Sequence, residues 1–227
     1  GITLTNIGNV YTSLGEYPKA LDYYQQSLAI HKKMGNKAAE GTTLNNIGEV
    51  YRNLGEYPKA LDRYQQALAI VKEIGNQAVE GTTLNNIGNV YNSLGEYPKA
   101  LDYYQQSLAI FRKIDYKAAE GSTLNNIGEV YRNLGEYPKA LDHYQQALAI
   151  VKQIGNQAVE GTTLNNIGNV YTSLGEYPKA LDYFQQALVI HKKVSNKAVE
   201  GSTLTNIGDV YRSLGEYPKA LDYYQQS

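Results

Sequence analysis

The sequence contains no cysteine and no tryptophan, and it has no excess of either charge, with 21 Lys and Arg residues against 22 Asp and Glu residues. Without cysteine, neither a disulfide framework nor a cysteine-ligated metal site can form. Binding to nucleic acid or to an anionic membrane surface depends on a surplus of basic residues. We therefore predict that the chain has no nucleic-acid partner and no membrane partner.

Long apolar runs and targeting segments are also missing. The chain contains no stretch of about 18 apolar residues that could span a bilayer, and no signal or transit peptide is recognisable. These two absences predict a soluble, cytoplasmic protein.

Residue patterns typical of catalysis or metal binding are equally scarce. The three histidines are His31, His143 and His191, and the two that share a repeat position lie four repeat units apart. Because a metal site needs clustered ligands, we interpret all three as ordinary surface residues. Carboxylates such as Glu56 and Asp62 recur in every unit, which is typical of a solvated face and not of an acid/base pair. We predict no metal, no cofactor and no enzymatic activity.

A repeat with a period of 40 residues dominates the sequence. A period of this size predicts a solenoid, in which each unit packs only against its neighbours. We therefore expect a single repeat array over residues 1–227. Its units are 1–40, 41–80, 81–120, 121–160, 161–200 and the partial unit 201–227.

Each unit carries two helical patterns, separated in the second unit by Gly55, a helix stop, and Pro58, a helix start. The first pattern, helix A, consists of Leu44, Ile47, Val50, Tyr51 and Leu54. The second, helix B, consists of Ala60, Leu61, Tyr64, Ala67, Leu68, Ile70, Val71 and Ile74. Helix B is apolar on more than one side, so we expect it to be sandwiched between its own helix A and the next one.

These patterns predict an all-α fold, an α-solenoid in the form of a right-handed superhelix of antiparallel helix pairs, because no alternating apolar stretch indicates a strand. We expect the next helix A to begin near Gln77 and to be about 18 residues long. A glycine inside a helix costs roughly 1 kcal/mol relative to alanine. We therefore expect Gly48 to be compensated by close packing, facing Ala60 across the A–B contact.

The same positions match the tetratricopeptide signature, which reads Trp-x2-Leu-Gly-x2-Tyr followed by Ala-x3-Phe. The spacings recur in all six copies, with Leu in place of Trp and with Tyr or Phe184 in place of Phe. In the second unit the matching residues are Leu44, Ile47, Gly48, Tyr51, Ala60 and Tyr64.

The unit is longer than the usual tetratricopeptide repeat of about 34 residues, and in this it resembles the Leu-Gly-Asn-enriched (Pins-type) repeats and the kinesin light chain-type repeats. The segment 85–91, Asn-Asn-Ile-Gly-Asn-Val-Tyr, is similar to the core of the first type. The resemblance implies a non-catalytic protein-interaction scaffold. It also implies that a protein or peptide ligand binds as an extended segment in a concave groove lined by helix A.

The polar face of helix A supplies the candidate peptide-binding residues. An asparagine recurs in every unit, and its side chain can both donate to and accept from a peptide bond. The alternative is that these amides bond across the seam between neighbouring A helices. The asparagines are Asn6, Asn46, Asn86, Asn126, Asn166 and Asn206.

A second set of candidate groove residues alternates between units. Even units carry an acid and an arginine three residues apart, whereas odd units carry uncharged residues. The charged residues form intrahelical ion pairs or serve as charged rungs for a ligand. The even set is Glu49, Arg52, Glu129, Arg132, Asp209 and Arg212, and the odd set includes Asn9, Asn89 and Asn169.

Self-assembly is the alternative function. Helix B of the last unit carries the apolar residues Ala220, Leu221 and Tyr224 with no following helix A to cover them. A repeat end without a polar cap favours end-to-end contacts between copies. Such homo-association would make the chain a structural module.

Overall fold

The computed structural model describes residues 1–227 and contains twelve α-helices and no strand, which confirms the all-α prediction. Odd-numbered helices are the A helices of the repeats and even-numbered helices are the B helices. The helices are α1 (Ile2–Ser13), α2 (Tyr17–Lys33), α3 (Lys37–Asn53), α4 (Tyr57–Glu73), α5 (Gln77–Ser93), α6 (Tyr97–Lys113), α7 (Lys117–Asn133), α8 (Tyr137–Gln153), α9 (Gln157–Ser173), α10 (Tyr177–Lys193), α11 (Lys197–Ser213) and α12 (Tyr217–Gln226).

The turn from helix A to helix B has the same construction in each repeat. In the second repeat, Gly55 adopts a left-handed φ of +73°, and its N–H donates to the carbonyl of Arg52 over 3.0 Å. The N–H of Glu56 donates to the carbonyl of Tyr51 over 2.9 Å. Both bonds together form the Schellman motif, which satisfies carbonyls at the end of α3. Pro58 then stands in the first turn of α4, where its missing N–H is not needed.

Four of the five turns from helix B to the next helix A end with an asparagine cap, at Asn36, Asn76, Asn156 and Asn196. The side-chain Oδ1 of Asn76 accepts a hydrogen bond of 3.3 Å from the N–H of Val79, which satisfies a free donor at the start of α5. Helix α5 begins at Gln77 and has 17 residues, so the predicted start and approximate length are confirmed.

The chain folds into two compact units, each of which is larger than a single repeat. The first unit is residues 1–116, with α1 to α6, and the second unit is residues 117–227, with α7 to α12. Inside each unit, every helix packs against the next helix in the chain, and each A helix also contacts the next A helix. Each unit is therefore a stack of three helix pairs. None of the helices is both long and apolar enough to cross a membrane.

The B helices supply the centre of each stack. Ala60 and Tyr64 of α4 are fully buried, and they form one cluster with Ile87 and Val90 of α5. The other side of the Tyr64 ring covers Gly48 of α3. The prediction that helix B is sandwiched between two A helices is thereby confirmed.

The predicted contact of Gly48 with Ala60 is wrong. A Cβ atom built at Gly48 would lie 2.6 Å from Cε1 of Tyr64, and its three closest neighbours are all atoms of that ring. Ala60 packs instead against the following helix A, through Ile87 and Val90. Gly48 is thus required because the ring of Tyr64, which lies one turn after Ala60 on helix B, occupies the space of a side chain.

The interpretation of His31 and His191 as surface residues is also wrong. Their exposed fractions are 3% and 1%. They occupy the helix B position at which other repeats hold Val71 or Phe111, and this position points at the preceding helix A. Only His143 lies at the surface, with its ring centroid 5.2 Å from that of Tyr131.

Candidate functional site

Two of the recurring asparagines of helix A bond across the contact between neighbouring A helices. Nδ2 of Asn46 donates to Oδ1 of Asn9 over 3.1 Å, and Nδ2 of Asn206 donates to Oδ1 of Asn165 over 3.2 Å. Both donors are half-buried, so one edge of each side chain reaches the solvent. The amide nitrogens of Asn46 and Asn206 therefore bond across the seam between A helices. Their carbonyl oxygens make no hydrogen bond within the protein.

A neighbouring asparagine, which sequence analysis did not select, makes a more buried seam contact. Nδ2 of Asn45 donates to Oγ1 of Thr83 over 2.7 Å, and Nδ2 of Asn125 donates to Oγ1 of Thr163 over 2.8 Å. Both asparagines are buried. Two adjacent asparagines look alike in the sequence, so only the packing shows that Asn45 is buried in the seam and Asn46 lies at its solvent-facing edge.

Two cavities on the A helices have the same repeat register, 160 residues apart along the chain. The cavity in the first unit has a volume of about 210 Å³ and is lined by Asn9, Thr12, Ser13, Tyr24, Asn46 and Glu49. The cavity in the second unit has a volume of about 300 Å³ and is lined by Arg132, Asn169, Thr172, Ser173, Phe184, Asn206 and Asp209. The structure thus brings predicted site residues from neighbouring A helices together in each unit.

A tyrosine of helix B forms the floor of the site and orients the acidic or amide residue above it. The hydroxyl of Tyr24 donates to Oδ1 of Asn9 over 2.7 Å, and the hydroxyl of Tyr224 donates to Oδ1 of Asp209 over 2.8 Å. The fifth repeat has Phe184 at this position. Its ring cannot donate a hydrogen bond, which leaves Asn169 without the contact that orients Asn9.

The second and fourth repeats place the tyrosine hydroxyl differently. The hydroxyls of Tyr64 and Tyr144 are buried and have no hydrogen-bond partner. Burial raises the pKa of both phenols well above the ordinary value, although nearby Arg52 and Arg132 act in the opposite direction. These hydroxyls therefore stay protonated and contribute no charge to the site.

The predicted intrahelical ion pairs form in only one of the three even repeats. Nη2 of Arg212 lies 3.0 Å from Oδ1 of Asp209, and both side chains are substantially exposed, so the pair contributes little to stability. Arg132 makes no corresponding ion pair, and its side chain lines the larger cavity. The same spacing in the sequence thus gives a paired charge in one repeat and an available charge in another.

Comparisons with solved structures identify similar folds. The chain resembles BtubC (BKLC) from P. vanneervenii with a TM-score of 0.81 and 19% identity, over 92% of this chain and 89% of that one. It resembles the nearly identical TPR-like repeats of a kinesin light chain from Podosopora anserina with a TM-score of 0.66 and 16% identity, over 85% and 95%. It also resembles a Rap protein complexed with Competence and Sporulation Factor, with a TM-score of 0.72 and 15% identity, over 98% and 72%.

At these identities the structural likeness establishes the fold, and it agrees with the predicted resemblance to kinesin light chain-type repeats. A sequence search against curated proteins gave no match. The sequence profile of the tetratricopeptide repeat matches residues 1–73, 79–153 and 159–227, which together make up most of the chain. The chain therefore belongs to the tetratricopeptide repeat family.

Proposed function

We propose that this chain is a non-catalytic protein-interaction scaffold that binds an extended peptide segment along the polar faces of its A helices. The observation that carries the proposal is the pair of cavities that recur in the same repeat register with the predicted asparagines in their walls. The complex of the similarly folded Rap protein with Competence and Sporulation Factor supports a role in partner recognition.

The asparagine side chains provide the contacts to the peptide backbone. The nitrogen of Asn46 bonds within the seam, so its carbonyl oxygen accepts a hydrogen bond from a ligand N–H. Packed helices lie roughly 8–10 Å apart, and an extended peptide advances by about 3.3 Å per residue. Successive rungs therefore contact the ligand backbone every few residues.

Charged side chains in the cavities contribute the preference for ligand side chains. Arg132 lines the larger cavity, where it can bind a ligand carboxylate in a bidentate manner. Glu49 lines the smaller cavity, is exposed, and can bind a ligand cation. This arrangement favours a peptide of mixed charge.

A direct test starts with peptides selected from a random-peptide phage library on the wild-type chain. Their affinities are then measured by fluorescence anisotropy for Asn46→Ala with Asn86→Ala, and for a control with Gln65→Ala and Gln105→Ala. The control residues are exposed on B helices. We expect binding to become roughly tenfold weaker in the asparagine variant, with unchanged helicity by circular dichroism. Equal affinities in the two variants would contradict the proposal, and a loss of helicity would assign the asparagines to the fold.

Self-association is the second candidate function. In the 227-residue polypeptide, Val10 of α1 is 58% exposed, whereas its counterpart Val50 is 0% exposed because α2 covers it. Leu221 of α12 is 59% exposed. Contact between these two faces in different copies would reproduce the packing inside the stack. Light scattering over a range of concentrations tests this alternative, and a strict monomer at the highest concentration rules it out.

A further inference from the structure

The imidazole ring of His191 is buried inside the second unit, where a charged ring would have no ion-pair partner. The side chain belongs to α10, is 1% exposed, and its Nε2 atom is buried without a hydrogen-bond partner. A Cβ atom built at Gly161 of α9 would lie only 2.5 Å from Cε1 of the imidazole. The ring thus occupies the space that the missing side chain of Gly161 leaves open. These buried surroundings favour an uncharged group.

The equivalent positions in other repeats support this conclusion. Phe111 packs in the same way against Gly81, and Val71 and Val151 take the position in the even repeats. All three residues are apolar and buried. Apart from His191 itself and His31 in the first repeat, the position thus holds apolar side chains of different size.

The charged groups around His191 are largely committed to other partners. On α11, the buried carboxylate of Glu200 lies 2.9 Å from Nζ of Lys197. On α9, Glu160 lies 3.9 Å from Nζ of Lys152. On α10 itself, the adjacent Lys192 and Lys193 are exposed and add positive charge. The surroundings thus hold no carboxylate that is free to pair with an imidazolium.

We propose that His191 is an acid-sensitive latch: it packs as a neutral ring between α9, α10 and α11 at pH 7, and its protonation loosens these helices from one another. Burying a charge without a partner costs far more than burying a neutral ring, so the charged form must leave its site. The opening is confined to this part of the stack, because each repeat in a solenoid contacts only its neighbours. Phe111 and Val151 give their own repeats no such sensitivity.

The pH range follows from the direction of the protonation equilibrium. Burial lowers the pKa of His191 below its ordinary value of 6.5, and this effect exceeds the opposing effects of the Gly161 backbone and of Glu200. Between 6.5 and the lowered pKa, the unfolded chain binds a proton that the folded chain does not bind, so stability falls as the pH decreases through this range. For one proton, the unfolding equilibrium constant rises by up to about tenfold per pH unit.

The experiment compares the wild-type chain with His191→Phe and His191→Val by urea unfolding at about pH 7.5 and about pH 5.5, on either side of the ordinary histidine pKa. Phenylalanine and valine are the residues that this chain already uses at the position. The valine variant is the closer match, because Ala187 stands four residues earlier, as Ala147 does before Val151. We expect the wild-type unfolding constant to increase about tenfold more than that of either variant on acidification.

Two direct measurements localise the effect. Hydrogen exchange, corrected for the intrinsic rate at each pH, should show faster opening of α9 to α11 at acidic pH in the wild-type chain alone. Proton NMR, with His191→Phe used to assign the Cε1–H resonance, should give a titration midpoint below 6.5. The proposal is overturned if the midpoint lies at or above this value, or if all three proteins respond equally to pH.

Discussion

Nδ2 of Asn45 donates a hydrogen bond of 2.7 Å to Oγ1 of Thr83, which joins α3 to α5 inside the first unit. The second unit contains the same contact between Asn125 and Thr163. In both asparagines the Oδ1 atom is buried and has no partner. A buried amide therefore joins α3 to α5 and α7 to α9, and its hydrogen bond to the threonine is costly to lose.

Replacing Thr83 by valine should destabilise the first unit by about 1–3 kcal/mol, because the change leaves the buried Nδ2 of Asn45 without its seam partner. Thr43→Val is the matched control. Thr43 is equally buried and its hydroxyl also donates to a carbonyl four residues earlier, that of Ala39, but it accepts no bond from an asparagine. Urea unfolding should show the larger loss for Thr83→Val. Equal losses would mean that the Asn45 bond contributes nothing to stability.

At Gly88, inside helix A of the third repeat, packing and helix propensity have opposite effects on the stability of an alanine variant. Gly88→Ala gains up to about 1 kcal/mol of helix propensity, but the new Cβ would lie 2.6 Å from Cε1 of Tyr104. Overpacking of this kind costs about 1–3 kcal/mol, so we expect net destabilisation. Thermal unfolding should show it.

A second background separates the two effects. In a chain that carries Tyr104→Leu, the ring that meets the new Cβ is absent, and Gly88→Ala should become neutral or stabilising. If Gly88→Ala is equally harmful in both backgrounds, the contact with Tyr104 is not the reason for the glycine.

Ser195 has a left-handed φ of +56° at a turn where other repeats have glycine, such as Gly155 with a φ of +68°. A non-glycine residue pays roughly 1–2 kcal/mol for this conformation, whereas glycine pays about 0.5–1 kcal/mol in additional unfolded-state entropy. Ser195→Gly should therefore raise the stability of the second unit slightly, by about 0.5–1 kcal/mol. Ser202→Gly, the same chemical change inside α11, should lower stability by a similar amount. A shift of the same sign in both variants would refute the strain argument.

Much of the fold follows from local features that a sequence displays directly. The 40-residue period, Pro58 and the turn glycines predict the helix boundaries, because each acts on the backbone of its own segment. The burial of His31 and His191 could not be predicted in this way, since a polar side chain at a core position depends on what packs against it. The same limit applies to Asn45, because the sequence does not distinguish it from the adjacent Asn46.

For the candidate site, sequence reasoning reaches only the level of the helix face, and the binding role of these residues stays a prediction. Helix periodicity places Asn46 and Glu49 on one side of helix A, and both line a cavity with Asn9 of the neighbouring helix. Whether an arginine pairs with the acid three residues before it depends on rotamers and neighbouring charges. For that reason Arg212 is paired and Arg132 is not, although the sequence spacing is the same.

Removal of the hydroxyl should change stability differently at two of the helix B tyrosines, Tyr104 and Tyr64. The hydroxyl of Tyr104 donates to Oδ1 of Asn89 over 2.7 Å, so Tyr104→Phe should cost about 0.5–1.5 kcal/mol. The hydroxyl of Tyr64 is buried without a partner, so Tyr64→Phe removes an unsatisfied polar group and should be neutral or stabilising.

Urea unfolding of the two single variants and of Phe184→Tyr tests this difference. Phe184→Tyr introduces a hydroxyl within reach of the position that Asn169 shares with Asn9 and Asn89, so we expect a gain in stability of the size lost in Tyr104→Phe. The new phenol should also narrow the cavity of about 300 Å³ that Phe184 lines, and peptide affinity should change in this variant more than in Tyr64→Phe. Equal costs for Tyr64→Phe and Tyr104→Phe would show that Arg52 holds the Tyr64 hydroxyl in solution, and the different surroundings of these two hydroxyls would then have no energetic consequence.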